Sequence, residues 1–84
     1  MVKVKLFGTI YTDTRLKEIE LEAGKISDIY KPLFDAINEK TPESGVTLKD
    51  LKDCLVAING TRVSPRASVK DGDEVWFFTA VGGG

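Results

Sequence analysis

With 84 residues and a mass of 9.2 kDa, the chain has room for one hydrophobic core and no second. Apolar residues make up 42% and charged ones 30%, a globular balance. Twelve basic against thirteen acidic residues leave a net charge of −1, so there is no general attraction to nucleic acid or to an anionic membrane. Histidine is absent and Cys54 is the single cysteine, which excludes a histidine base, a Cys–His pair, an internal disulfide, and a Cys₄ metal or iron–sulfur site. These exclusions favour a carrier or interaction module over a self-sufficient enzyme.

The first residues lack the apolar stretch of a secretory signal, and no apolar run has the length of a membrane span. With one unpaired thiol, the expectation is a soluble cytoplasmic protein. Val2, Val4, Leu6 and Ile10 mark an opening strand, with Lys3, Lys5 and Phe7 on its other side. Residues 16–22 repeat the alternation, with Ile19 and Leu21 set among Glu18, Glu20 and Glu22. The short polar stretch 11–15 between them reads as a hairpin turn. After Gly24 the period changes: Ile26, Ile29, Tyr30, Leu33 and Ile37 form a helical apolar stripe. Pro32 falls inside it, so either the main helix begins near Pro32 after an irregular turn, or the helix is kinked there.

Residues 40–46, with Pro42, Ser44 and Gly45, read as a loop. Thr47 is an expected N-cap with Asp50 three residues on, opening a short helix that runs to about Asp53. Leu55-Val56-Ala57-Ile58 reads as a buried strand, Asn59-Gly60 as a hairpin turn and Thr61-Arg62-Val63 as the return strand. Residues 74–79 form the last and most apolar strand. The predicted order is strand, strand, helix, strand, strand, strand, an α+β arrangement of the β-grasp (ubiquitin-like) type, with one main helix packed on one face of a mixed sheet. A strand apolar on both sides belongs in the middle, so the C-terminal strand is expected to be central, beside the first. The expected organisation is a β-grasp domain over 1–79 followed by a glycine tail over 80–84.

The tail carries the chemistry. Val81 precedes Gly82, Gly83 and Gly84, a run without side chains that suits entry into a narrow channel. Five residues reach about 17 Å at roughly 3.4 Å each, enough to present the Gly84 carboxylate to another protein's active site. A carboxylate is a poor electrophile until activated. No phosphate-cradling glycine loop leading into a helix is present to do that, so a nucleotide-dependent partner is required. The bland alternative is a frayed end.

Residues Lys70-Asp71-Gly72-Asp73-Glu74-Val75-Trp76-Phe77-Phe78 and, two positions on, Val81-Gly82-Gly83-Gly84 resemble the C-terminal signature of the MoaD/ThiS sulfur-carrier family, and most of all the small subunit of molybdopterin synthase. Val2-Lys3-Val4-Lys5-Leu6-Phe7-Gly8 and Val56-Ala57-Ile58-Asn59-Gly60-Thr61-Arg62-Val63 resemble the family's first strand and its hairpin. Thr79-Ala80 stands where the family pattern has paired prolines, and Arg62 where an apolar contact residue is frequent. The resemblance implies that Gly84 is adenylated by an E1-like enzyme of the MoeB/ThiF type, which consumes ATP. Gly84 then accepts sulfur from a sulfur donor as a thiocarboxylate, with Gly83 completing the family's diglycine. Sulfur delivery would follow inside the large subunit of molybdopterin synthase. No cofactor or metal is expected on this chain. A ubiquitin-like protein modifier, a carrier for thiamin or amino-acid synthesis, and a non-covalent β-grasp binding module are the alternatives.

Phe7, Trp76 and Phe78 are the expected partner-binding aromatics, on the reading that Val75 and Phe77 face the helix. The alternative buries Trp76 and Phe78 beneath the 11–15 segment. Arg62 and Arg66 suit either an acidic partner or plain solvation. Cys54, with Leu51, Leu55 and Val56 as neighbours, is expected to be an inert core thiol, and Asp71 and Asp73 to be turn formers rather than metal ligands.

Overall fold

The computed structural model describes residues 1–79, so the tail over 80–84, with Val81, Gly82, Gly83 and Gly84, lies outside the described residues. The strands are β1 (Val2–Phe7), β2 (Glu18–Leu21), β3 (Leu55–Ile58), β4 (Thr61–Val63) and β5 (Glu74–Phe78). The helices are α1 (Thr9–Thr14), α2 (Tyr30–Lys40) and α3 (Leu48–Lys52). They form a five-stranded mixed sheet of order β2-β1-β5-β3-β4. β5 is central: it pairs parallel to β1 and antiparallel to β3, as its double apolar character requires. The arrangement is a β-grasp.

The main helix lies across one face of the sheet. All five residues of the stripe (Ile26, Ile29, Tyr30, Leu33 and Ile37) are buried, together with Val4, Leu6, Val56, Val75 and Phe77 from the strands. Phe77 meets Tyr30 edge to face, with centroids 5.6 Å apart at 86°. The first of the two Pro32 readings holds. Ile26–Asp28 is a single 3₁₀ turn, and α2 starts afresh at Tyr30. This puts Pro32 in the first turn, where an amide has no helical partner to lose.

The expected capping box holds α3. Thr47 Oγ1 accepts from the Asp50 N–H at 3.2 Å, and Asp50 Oδ2 accepts from the Thr47 N–H at 2.9 Å. The Asn59-Gly60 turn has φ of 50° and 90°, the paired positive values of a tight hairpin. The Asn59 amide also reaches β5: its Oδ1 accepts from the Glu74 N–H and its Nδ2 donates to Asp73. Asp73 Oδ2 accepts from the Lys70 N–H, so the Asp-Gly-Asp segment serves as a hydrogen-bonded turn.

One expectation fails. Residues 11–15 are no simple hairpin turn, and Ile10 does not belong to the first strand. β1 ends at Phe7, and α1 carries the chain to β2. The sequence Thr-Ile-Tyr-Thr-Asp-Thr is rich in β-branched residues and has low helix propensity. Tertiary burial overrides this, because Ile10 and Thr14, one turn apart, both face the core at 3% and 1% exposure. The Thr14 hydroxyl donates to the Ile10 carbonyl at 2.8 Å and accepts from the Leu16 N–H, and Arg15 closes the helix in a left-handed conformation with φ of 61°. Thr14→Val keeps the shape and deletes both bonds. It should lower unfolding free energy by about 1–2 kcal/mol in urea titration, leaving the slope unchanged.

Candidate functional site

The strand alternation that sends Val75 and Phe77 under the helix sends Trp76 and Phe78 to the opposite, uncovered face of the sheet. The register aligns two rows there. Phe78 lies between Phe7 on β1 and Leu55 on β3; Trp76 lies between Lys5 on β1 and Ala57 on β3, with Arg62 of β4 beyond Ala57. Phe7 is 41% exposed, and Trp76 and Phe78 are half-buried. Phe7 and Trp76 meet edge to face, centroids 5.6 Å apart, and the three rings line a shallow groove of about 350 Å³. An adjoining cleft of about 330 Å³ runs between Phe7, Tyr11, Lys5, Lys17 and Glu18.

This places all four expected contact residues (Phe7, Trp76, Phe78 and Arg62) on one side of the sheet, with Phe7 and Phe78 at the end of β5 and Trp76 and Arg62 two residues further back, Arg62 on the edge strand. The alternative, burial of Trp76 and Phe78 beneath the 11–15 segment, is not what the chain does. The sequence reading missed three contributors: Leu55, Lys5 and Glu74. The indole Nε1 of Trp76 donates to Glu74 Oε1 at 2.6 Å, and Lys5 Nζ lies 3.3 Å from Glu74 Oε2. These contacts lock the indole in the plane that Phe7 packs against. The signal was the i, i+2 spacing of Glu74 and Trp76 on one strand face. The indole bond, then the Lys5 ammonium, hold the Glu74 carboxyl below its usual pKa.

Cys54 is buried at the end of α3, its thiol directed at the Asp50 carbonyl, 3.3 Å away. Burial, and then the charges of Asp50 and Asp53, push its pKa up to about 11. A thiol so held is protonated at neutral pH and carries no sulfur-accepting role.

The base of the tail is tied down as well. Thr79, the last described residue, places its hydroxyl against Gly8, and Thr79 Oγ1 accepts a hydrogen bond from the Thr9 N–H at 3.2 Å. Among the described residues no group of three or more His, Cys, Asp or Glu is gathered as a metal site, and no helix is long and apolar enough to cross a membrane.

The ThiS family model matches residues 4–84, nearly the whole chain. The chain belongs to the ThiS family. It is thus one of the ubiquitin-fold sulfur carriers, small proteins that are not themselves catalysts. Solved structures agree. A Pyrococcus furiosus protein described as molybdopterin converting factor, subunit 1, is 29% identical over 95% of this chain and 97% of its own, with a TM-score of 0.61. The Amycolatopsis orientalis BexX/CysO complex contains a match at 27% identity over the full length of both chains, TM-score 0.62. Small archaeal modifier protein 1 from Methanosarcina acetivorans, at 24% identity over 99% of this chain and 95% of its own, shares the fold with a TM-score of 0.67. Among curated proteins the sequence finds no match.

Two outcomes follow from the site's electrostatics. In an NMR titration Glu74 should have its midpoint below the usual glutamate value near 4.5, and Trp76→Phe and Lys5→Ala should each move it upward. The stability tied to that depressed pKa is fully present above about 4.5 and is lost as the pH falls through the folded-state value. Cys54 should resist alkylation by iodoacetamide at pH 8 in the native protein and react promptly once unfolded.

Proposed function

We propose that this protein carries sulfur on its C-terminal glycine for the synthesis of molybdopterin, as the small subunit of a two-subunit synthase. The observation that carries the reading is the attachment of Val81-Gly82-Gly83-Gly84 to the central strand of a sulfur-carrier fold, at the edge of an uncovered aromatic face. Support for the pathway comes from the Asp-Gly-Asp-Glu-Val turn and strand with its aromatic pair, and from the 29% identity to the Pyrococcus furiosus protein.

In this reading a Gly84 carboxylate oxygen attacks the α-phosphorus of ATP within an E1-like adenylating enzyme, and pyrophosphate leaves. A sulfide-level sulfur nucleophile from a donor then attacks the carbonyl carbon, AMP departs and a thiocarboxylate remains. Gly83 and Gly82 keep the approach slender, and Val81 links them to the domain. The chain's own contribution is recognition and reach. Phe7, Trp76 and Phe78 supply apolar anchors for the synthase's large subunit or the adenylating enzyme, and Arg62 borders them. ATP is bound and consumed by the partner, and the carrier holds no cofactor. This sulfur chemistry belongs to a reducing cytoplasm.

Intact mass after incubation with the adenylating partner, ATP and a sulfur donor should show exchange of one oxygen for sulfur at the terminus. Deleting Gly84 should abolish the exchange without changing the melting temperature, and Phe78→Ser should raise the KM for the carrier about tenfold. A wild-type terminus that never gains sulfur refutes the reading. Isopeptide adducts on lysines in the native host, with no effect on molybdopterin, would redirect it to protein modification.

A further inference from the structure

The tie at the base of the tail has features that a plain strand end does not require. β1 and β5 run parallel with Phe7 opposite Phe78, so the next residues out, Gly8 and Thr79, fall side by side. Gly8 has φ of 73°, in the region that favours glycine, and a Cβ built there would lie 2.3 Å from Thr79 Oγ1. Position 8 thus lacks a side chain where the Thr79 hydroxyl sits. That hydroxyl accepts from the Thr9 N–H at 3.2 Å. Thr9 opens α1, and its amide has no partner within the helix. Gly8, at the N-cap position, has no side chain to offer, so the cap arrives from a residue seventy positions away. The strand ladder ends at the Phe7–Phe78 pair, and this bond extends the anchorage by one residue.

We propose that Thr79 is a positioning residue for the carrier reaction. Its hydroxyl, seated against Gly8 and bonded to the Thr9 amide, sets the point and direction from which residues 80–84 continue, and so the aim of the Gly84 carboxylate. The proposal rests on the carrier reading above. Without the bond the last fixed point retreats to Phe78, an additional pair of backbone rotations separates the anchored strand from Gly84, and fewer encounters hold the carboxylate in line for attack. Recognition of the folded domain by its aromatic face is untouched, so the loss falls on kcat.

The test uses the full chain and its adenylating enzyme, with carrier-dependent ATP–pyrophosphate exchange as the rate and ¹⁵N relaxation as a second readout. Thr79→Val should lower kcat about threefold to tenfold with KM for the carrier within about twofold of wild type. Thr79→Ser, which keeps the hydroxyl, should match wild type. Melting temperatures should stay unchanged, because the Thr9 N–H is exposed and bonds water when released. Gly8→Ala should reproduce the kcat loss by displacing the hydroxyl, and adding Thr79→Val to it should lower kcat no further. The backbone order parameter at residue 79 should sit near about 0.85 in wild type and Thr79→Ser and fall in Thr79→Val. Wild-type kcat in Thr79→Val, or an equal loss in Thr79→Ser, overturns the proposal. If the wild-type chain is not adenylated at all, the carrier reading fails instead. The hydroxyl's role is then decided by relaxation alone: order at residue 79 that is indifferent to Val against Ser overturns it.

Discussion

The parallel pairing of the first and last strands is the constraint on which the molecule hangs. Parallel neighbours cannot be joined by a tight turn, so a long crossover must separate β1 from β5. α1, β2, the main helix α2, α3 and the β3–β4 hairpin all lie within that crossover, with β2, β3 and β4 rejoining the same sheet. The pairing is fixed from the helix side by Phe77, which has no exposed surface and lies against Tyr30. A slip of β5 by one residue would exchange Phe77 for Trp76 or Phe78 beneath the helix and expose Val75, so the buried face and the register specify one another.

The same alternation that fills the core creates the uncovered face. β5 has aromatic residues at three consecutive positions, and a strand can direct only every second one inward. Trp76 and Phe78 therefore emerge together on the far side, beside Phe7, which β1 brings alongside by its parallel register. Core and uncovered aromatic face are thus two readings of one strand, and Phe78 carries that face to the strand's last residue.

Much of this was legible beforehand because the relevant signals are periodic. Strand alternation, the stripe from Ile26 to Ile37, the Thr47/Asp50 capping pair and the Asn59-Gly60 turn each follow from chemistry within a few residues. The short helix after β1 was not legible. Its six residues have the composition of a strand, and only the core that receives Ile10 and Thr14 makes them helical. Pro32 left two readings open because the choice depends on where the helix starts, not on the proline itself. In the candidate site Trp76 and Phe78 were legible from β5 parity and Phe7 from the alternation of β1. The Glu74 carboxylate that joins Trp76 to Lys5, and the Thr79 hydroxyl that meets Gly8, are products of strand register and have no local signature.

The charges on the uncovered face have their own consequence. Lys3, Lys5 and Arg62 share it with Glu18, Glu20 and Glu74, and the two lysines lie within 4 Å of carboxylates of the same chain, Lys3 at 3.9 Å from Glu18 and Lys5 at 3.3 Å from Glu74. The face presents almost no net field to an approaching molecule. What the face offers is therefore short-ranged: three apolar rings around a shallow groove, with little long-range pull on a charged molecule.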